Sequence, residues 1–280
     1  MEPTAPAVDE IRLNADWPKV GVLYADAALL AVNKPAGLLI APGKWDRGQD
    51  NLMTLLADGI RSGRPWARAL GLTYIANAHR LDRPTSGVLL LATSRATLIQ
   101  LVRQFRERHP LKVYVGLVRG VPGQDEMTIR FPIGADLSRP GLSRIDRGHG
   151  REAETRIKVM ERFRGYALVQ AEIPTGRHHQ IRVHLKAMGF PLVADGDYGS
   201  PAPLLLSQLK PGYKFKKETD ERPLMGRVAL HAESITVAHP VTDAPLTITA
   251  PWPKDLTVAV KYLRRYASPG TSPETRAPTS

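Results

Sequence analysis

The segment His79-Arg80-Leu81-Asp82-Arg83-Pro84-Thr85-Ser86-Gly87 sets one carboxylate between two guanidinium groups. It is polar and turn-prone, and it runs straight into the apolar stretch Val88–Ala92. A carboxylate kept ionised by neighbouring cations, at the mouth of a buried strand, can serve as a nucleophile or a proton carrier. The same residues also suit an ordinary surface loop, with Asp82 ion-paired and forming an Asx-type turn. Spacing alone leaves both readings open.

A second dense segment is Gly176-Arg177-His178-His179-Gln180-Ile181-Arg182-Val183-His184-Leu185. The pattern predicts a helix from His178 to Met188, closed by Gly189. On that helix His178, Arg182 and Lys186 share a face. If the face is buried, Arg182 needs a counter-charge, and Asp82 is an acid of the right kind. If the face is solvated, it needs none. His178, His179 and His184 also raise a His-only metal site and, with it, metal-dependent hydrolysis of nucleic acid. Positions 179 and 184 are about 140° apart around a helix, and no Asp or Glu is close in sequence. Structural or RNA-contacting histidines are therefore expected, with no metal.

The rest of the chain narrows the chemistry. It has 280 residues, no cysteine, and 39 Lys and Arg against 27 Asp and Glu, a formal charge of +12. Disulfides, thiolate nucleophiles, iron–sulfur clusters and cysteine zinc sites are excluded. A basic excess of this size points to a polyanionic partner, most commonly nucleic acid. There is no G-x-x-x-x-G-K-[ST] phosphate loop and no G-x-S-x-G elbow. Gly148–Ala153 formally fits G-x-G-x-x-A, but LSRIDR before it is no buried strand. No apolar run reaches the ~18–20 residues of a membrane helix, so no membrane association is expected. MEPTAPAVDE has no secretory pattern, which makes the cytoplasm the expected compartment.

Three basic clusters stand out. One is the end of the helix after Ser94, with Arg103, Arg106 and Arg108. The second spans Arg139–Arg164, where eight cations face four acids. The third is Lys210–Lys217, in which Tyr213 and Phe215 interleave with Lys214, Lys216 and Lys217. Cations mixed with aromatics suit phosphates and unstacked bases. Each cluster by itself also fits a solvated loop.

The elements that must position these groups follow from periodicity. Val20–Tyr24 and Leu29–Asn33 flank Ala25-Asp26 as a hairpin. Val88–Ala92 reads as a buried strand. Thr93 or Ser94 caps a helix whose apolar residues are Leu98, Leu101, Val102 and Phe105, ended by Pro110. Lys112–Arg119 alternates, with Tyr114 opposite Val113 and Val115. Tyr166–Ile173 and Val228–Ala238 are further strands. Strands outnumber helices without regular alternation, which predicts an α+β fold with a mostly antiparallel sheet. Residues 1–14 and 267–280 read as disordered, and 15–266 as one compact unit.

Taken together, these motifs resemble the RluA-type family of RNA pseudouridine synthases. HRLDRPTSG at 79–87 and GRHHQIRVHL at 176–185 carry the resemblance most specifically. VNKPAGLL at 32–39, RQFRERHPLKVYVGLVRG at 103–120, PLVADGDYG at 191–199 and LHAESITVAHP at 230–240 follow in the family's order. The resemblance implies a pseudouridine synthase fold, a bent mixed sheet with flanking helices and a central RNA-binding cleft. Many members of the family also carry an S4-type RNA-binding domain, and none is expected before residue 20; RNA recognition is then expected to rest on the catalytic domain. The resemblance also implies a catalytic domain over 15–266 that isomerises uridine in rRNA or tRNA to pseudouridine by base flipping, with no cofactor. By resemblance Asp82 is the catalytic residue, Arg182 pairs with it, and Tyr114 stacks on the target base. Arg80 fills the space left by the flipped nucleotide, and Leu230 packs against the base. Arg83 and the lysines 214, 216 and 217 are assigned to RNA binding. RNA is the implied partner, with no obligate protein partner. His178 stands where the family has Thr, and Ala194 where it has Gly. The rival expectation is a catalytically inactive RNA-binding protein on the same fold.

Overall fold

A computed structural model describes residues 8–42, 48–214 and 220–269. In chain order the strands and helices open with β1 (Glu10–Ile11), β2 (Val20–Ala25), β3 (Leu29–Lys34), α1 (Leu52–Arg61) and α2 (Pro65–Ala69). Next come β4 (Ala76–Asn77), β5 (Ser86–Ala92), α3 (Arg95–Arg106), β6 (Leu111–Arg119), β7 (Glu126–Ile129) and β8 (Ile133–Ala135). They continue with β9 (Ser143–Ile145), β10 (Thr155–Phe163), β11 (Tyr166–Glu172) and α4 (Gln180–Ala187). The last are β12 (Leu230–Ala238), β13 (Pro245–Thr249) and α5 (Lys254–Tyr266). This is an α+β fold, and its described ladders are antiparallel except that of β5 with β12. None of the described helices is long and apolar enough to cross a membrane.

The chain forms two compact units. The first comprises residues 1–114, 172–176 and 230–252; the second comprises 115–171, 177–229 and 253–280. The reading of 15–266 as a single unit contains no such division. The chain crosses between the units five times, and the first crossing lies inside β6, where no Pro/Gly linker marks it.

In the first unit β5 is the anchor. All seven of its residues are buried, and β3 pairs along it from Leu29↔Ala92 to Lys34↔Gly87. A fully buried leucine contributes roughly 1.5–3 kcal/mol, so Leu89, Leu90 and Leu91 fix this strand firmly. The β2–β3 turn is held by Asp26, whose Oδ1 accepts the N–H groups of Ala28 and Leu29. Ser94 caps α3 by accepting the N–H of Thr97 at 3.1 Å. Leu101 of α3 is buried against β3, β5, β12 and β13, but Val102 is 47% exposed and lies off the apolar face expected for it.

Expected disorder at both ends needs correction. Residues 1–7 and 270–280 lie outside the described residues, but Glu10–Ile11 pairs with Val20–Gly21, and Ile11 and Leu13 are buried. Two apolar side chains at strand spacing outweighed a Pro-rich beginning. Ala267 is buried too, and its carbonyl accepts the N–H of Arg164.

In the second unit, β10 shows the buried–exposed alternation of a half-covered strand: Thr155, Ile157, Val159 and Phe163 point inward. Its register with β7 runs from Thr155↔Ile129 to Lys158↔Glu126. Part of the basic cluster Arg139–Arg164 is thus simply the outer face of a strand. A separate small core joins Ile133, Ala153, Val183 and Tyr198.

Candidate active site

In the first unit Asp82 sits half-buried one turn before β5. The turn is closed through the main chain, Thr85 N–H donating to the Asp82 carbonyl at 3.0 Å. The carboxylate is not the closing group, as the Asx-turn reading had it. The Arg83 carbonyl is in turn gripped from the N-terminal motif. Gly37 N–H donates to the Arg83 carbonyl at 2.8 Å, and Arg83 Nε donates back to the Gly37 carbonyl at 3.0 Å. Gly37 is at φ +88°, a conformation that glycine adopts without strain. The side chain of Arg83, assigned to RNA binding, thus also holds the loop. Arg80 is exposed.

Lys34 fastens the same loop from beneath. It is fully buried, and its Nζ donates to the carbonyls of Pro35 at 2.9 Å, Leu38 at 2.8 Å and Arg83 at 3.3 Å. This explains the KPAG motif: the lysine satisfies carbonyls that a tight turn would leave unpaired inside the protein. Lys34→Met should therefore lower unfolding free energy by roughly 2–4 kcal/mol, because buried acceptors lose their donor. A urea melt measures this; a loss under about 0.5 kcal/mol would show that the clamp contributes nothing.

On the far side of the turn Gly87 is at φ +116°, and a Cβ there would lie 2.1 Å from the Ala232 carbonyl oxygen. Only glycine lets β5 and β12 approach this closely, in the register His231↔Ser86 and Ala232↔Gly87. His231 Nε2 lies 3.3 Å from the Ala250 carbonyl, and its Nδ1 lies 2.9 Å from Ser86 Oγ. A carbonyl only accepts, so Nε2 carries the proton and Ser86 donates to Nδ1. Leu230 immediately precedes this pairing and is buried.

His79 is structural. Its Nε2 accepts the N–H of Leu90 at 2.9 Å, and its ring stacks on Phe105 at 4.8 Å. Burial, aided by the charge of Lys112, pushes its pKa down to about 3, so it is neutral at physiological pH. Tyr114 is 8% exposed. Burial, then the negative charge of Asp82, drives its phenol well above the ordinary tyrosine range. Tyr114 therefore enters any reaction as a neutral hydroxyl, and the field of Asp82 reaches it.

In the second unit Arg182 is 2% exposed. Its Nε and Nη2 donate to the two carboxylate oxygens of Asp195 at 2.8 and 2.7 Å, and Nη2 also reaches Asp197 Oδ2 at 2.6 Å. Its guanidinium stands 4.8 Å from the Tyr198 ring centre. The counter-charge that a buried arginine requires is thus met within its own unit. Sequence reasoning named only Asp82; the PLVADGDYG motif, thirteen residues downstream, carried the missing signal. Asp195 also accepts from the N–H groups of Asp197 and Tyr198, which holds that motif in a turn.

The helix begins later than predicted. His179, at φ +56°, is the residue before α4, so His178 is not on the helix and shares no face with Arg182. His178 and His179 instead stack at 3.7 Å. The Nδ1 atom of each is fixed, by Ser143 Oγ at 3.1 Å and by Tyr198 OH at 2.8 Å respectively. His184 is fully buried, bonded to Thr155 Oγ1 and the Phe131 carbonyl, and burial keeps it neutral. Both of its nitrogens are engaged by protein atoms, so it is a core histidine. Lys214 is exposed; Lys216 and Lys217 lie outside the described residues.

Residues 28–187 match the family of RNA pseudouridylate synthases. The Dual-specificity RNA pseudouridine synthase RluA of Yersinia pestis is 34% identical over 226 residues, covering 80% of this chain and 95% of that protein. Its counterpart in Escherichia coli K12 is 34% identical over 235 residues, covering 84% and 94%. The solved structure of Human RNA Pseudouridylate Synthase Domain Containing 4 shares the fold. Its TM-score is 0.65 at 24% identity, over 87% of this chain and 93% of that one. The protein is an isomerase that acts on RNA. It belongs to the RNA pseudouridylate synthase family and forms pseudouridine.

Proposed function

We propose that Asp82 is the catalytic carboxylate, that Tyr114 supplies a neutral aromatic platform for the target uracil, and that Arg182 completes the set. Uridine and pseudouridine are isomers. The N1–C1′ bond breaks, a C5–C1′ bond forms, C5 loses a proton and N1 gains one. Every route to this needs one group that can attack carbon or carry a proton beside the sugar, and an ionised Asp82 serves in each. The observation that carries the reading is the position of Asp82. It stands one turn ahead of a wholly buried strand, on a loop clamped by Lys34, with its charge felt at Tyr114. Flipping the nucleotide out of a stack exposes the bond to be broken. The exposed guanidinium of Arg80 is suited to fill the vacated space.

The substrate on this reading is structured RNA, rRNA or tRNA, met in the cytoplasm. The dual-specificity relatives support testing both RNA classes rather than one. The test is pseudouridine mapping at nucleotide resolution in cells with and without the gene, repeated with purified enzyme on rRNA and tRNA transcripts. Sites that vanish with the gene and return with enzyme are expected. If no site changes in either RNA class, the substrate assignment is wrong.

A further inference from the structure

The cations of the second basic cluster are not equivalent. On β10 they are met by acids of the same unit. Glu154 bridges Arg130 and Arg156, each at 2.8 Å; Lys158 faces Glu126 at 4.0 Å; Arg162 meets Asp125 at 2.7 Å. Arg139 is likewise paired with Asp136 at 3.0 Å. Such surface pairs add little stability, but they cancel charge locally.

The stretch from β9 to residue 151 differs. Arg144, Arg147 and Arg151 are all exposed, and among the described residues no carboxylate lies within ion-pair range of any of them. Arg144 pairs across the ladder with Gly134, and the Asp146 carboxylate fills the space beside that glycine, near enough for the charge of Arg144 to help hold its carboxyl below the usual range. Arg147 lies 5.4 Å from the Phe131 ring centre. The one acid between them, Asp146, is turned to the main chain. Its Oδ1 accepts the N–H groups of Gly148 at 3.2 Å and His149 at 3.0 Å. The loop is further tied by Gly150 N–H to the Asp146 carbonyl and by main-chain bonds between Ile133 and Arg151 in both directions. Gly134 leaves the room that the Asp146 carboxylate occupies, since a Cβ there would lie 2.8 Å from Oδ2. The result is a braced loop that presents three exposed guanidinium groups, of which Arg144 is partly offset by Asp146 while Arg147 and Arg151 are in no ion pair among the described residues.

We propose that this Arg144–Arg147–Arg151 face grips phosphates of the substrate RNA away from the reacting nucleotide, and that the β10 cations do not. The inference rests on the reading of structured RNA as substrate. Guanidinium forks match phosphate oxygens, and bracing spares the ordering cost of binding. Each phosphate neutralised releases counterions, adding about 0.7–0.9 to the slope of log affinity against log salt.

The experiment compares R144Q/R147Q/R151Q with R156Q/K158Q/R162Q, using a fluorescein-labelled tRNA transcript and titrations from low to high salt. The loop triple should bind about tenfold or more weakly and lose roughly 2 from the salt slope. The β10 triple should stay within about twofold of wild type. R144K/R147K/R151K should keep most of the slope, and matching thermal melts would show that charge, not folding, is at issue. Equal losses in the two triples, or a wild-type slope in the loop triple, would overturn the proposal. Binding is read without turnover, so it stands apart from the functional reading. Modification at wild-type KM by the loop triple would sink the surface alone, and absence of modification by wild type would sink the functional reading alone.

Discussion

Asp82→Asn should lower pseudouridine formation by at least about 10⁴-fold while leaving RNA affinity within about threefold of wild type. The amide has the same size and shape as the carboxylate but cannot ionise. It can neither attack carbon nor accept the proton that moves from C5. The side chain is half-buried and does not close its turn, since the Asp82 main-chain carbonyl does. The substitution should therefore cost less than about 0.5 kcal/mol in stability. Tritium release from C5-labelled uridine in a transcript, measured with filter binding and a thermal melt, separates these effects. Activity within tenfold of wild type would remove Asp82 from the chemistry. Lost RNA binding would make it a binding residue instead.

The second large effect concerns Arg182. Arg182→Met leaves the fully buried Asp195 carboxylate without its bidentate partner. Removing one member of a buried pair typically costs about 3–5 kcal/mol, because the remaining charge has neither water nor counter-ion. A urea melt should show a loss of that order. Lysine is no substitute, since a point charge cannot make both bonds to Asp195 and still reach Asp197. The double variant R182M/D195N removes both buried charges and should recover a good part of the stability. Its activity is the decisive reading. If the guanidinium takes part in the reaction, the double variant stays inactive although folded. A folded and fully active double variant would confine Arg182 to a structural role.

The contrast between β5 and β10 shows what local pattern can and cannot disclose. The continuous apolar run Val88–Ala92 made a buried strand readable, because a strand covered on both faces needs no other signal. β10 carries an equally regular alternation from Thr155 to Phe163, yet its outward Arg and Lys drew attention as charge rather than as one face of a strand. α5 was legible in principle: Leu256, Ala259, Val260 and Leu263 recur at helical spacing and are all buried. The early helix start at His178 failed for a different reason. His179 adopts a left-handed backbone held by its own contacts to Tyr198 and His178, which no propensity anticipates.

Residue types and short-range periodicity determined the α+β class, the hairpin around Asp26, a helix cap at Thr93 or Ser94, and the presence of a carboxylate loop ahead of a buried strand. Each depends on side chains close together along the chain, where backbone geometry dictates who meets whom. Tertiary structure alone decided which acid neutralises which cation. Asp195 meets Arg182 within its own unit, Lys34 reaches across 49 positions to the Arg83 carbonyl, and Glu154 serves Arg130 and Arg156 together. Coulomb and hydrogen-bond energies fall off over a few ångströms of space, and folding, not sequence order, sets those distances.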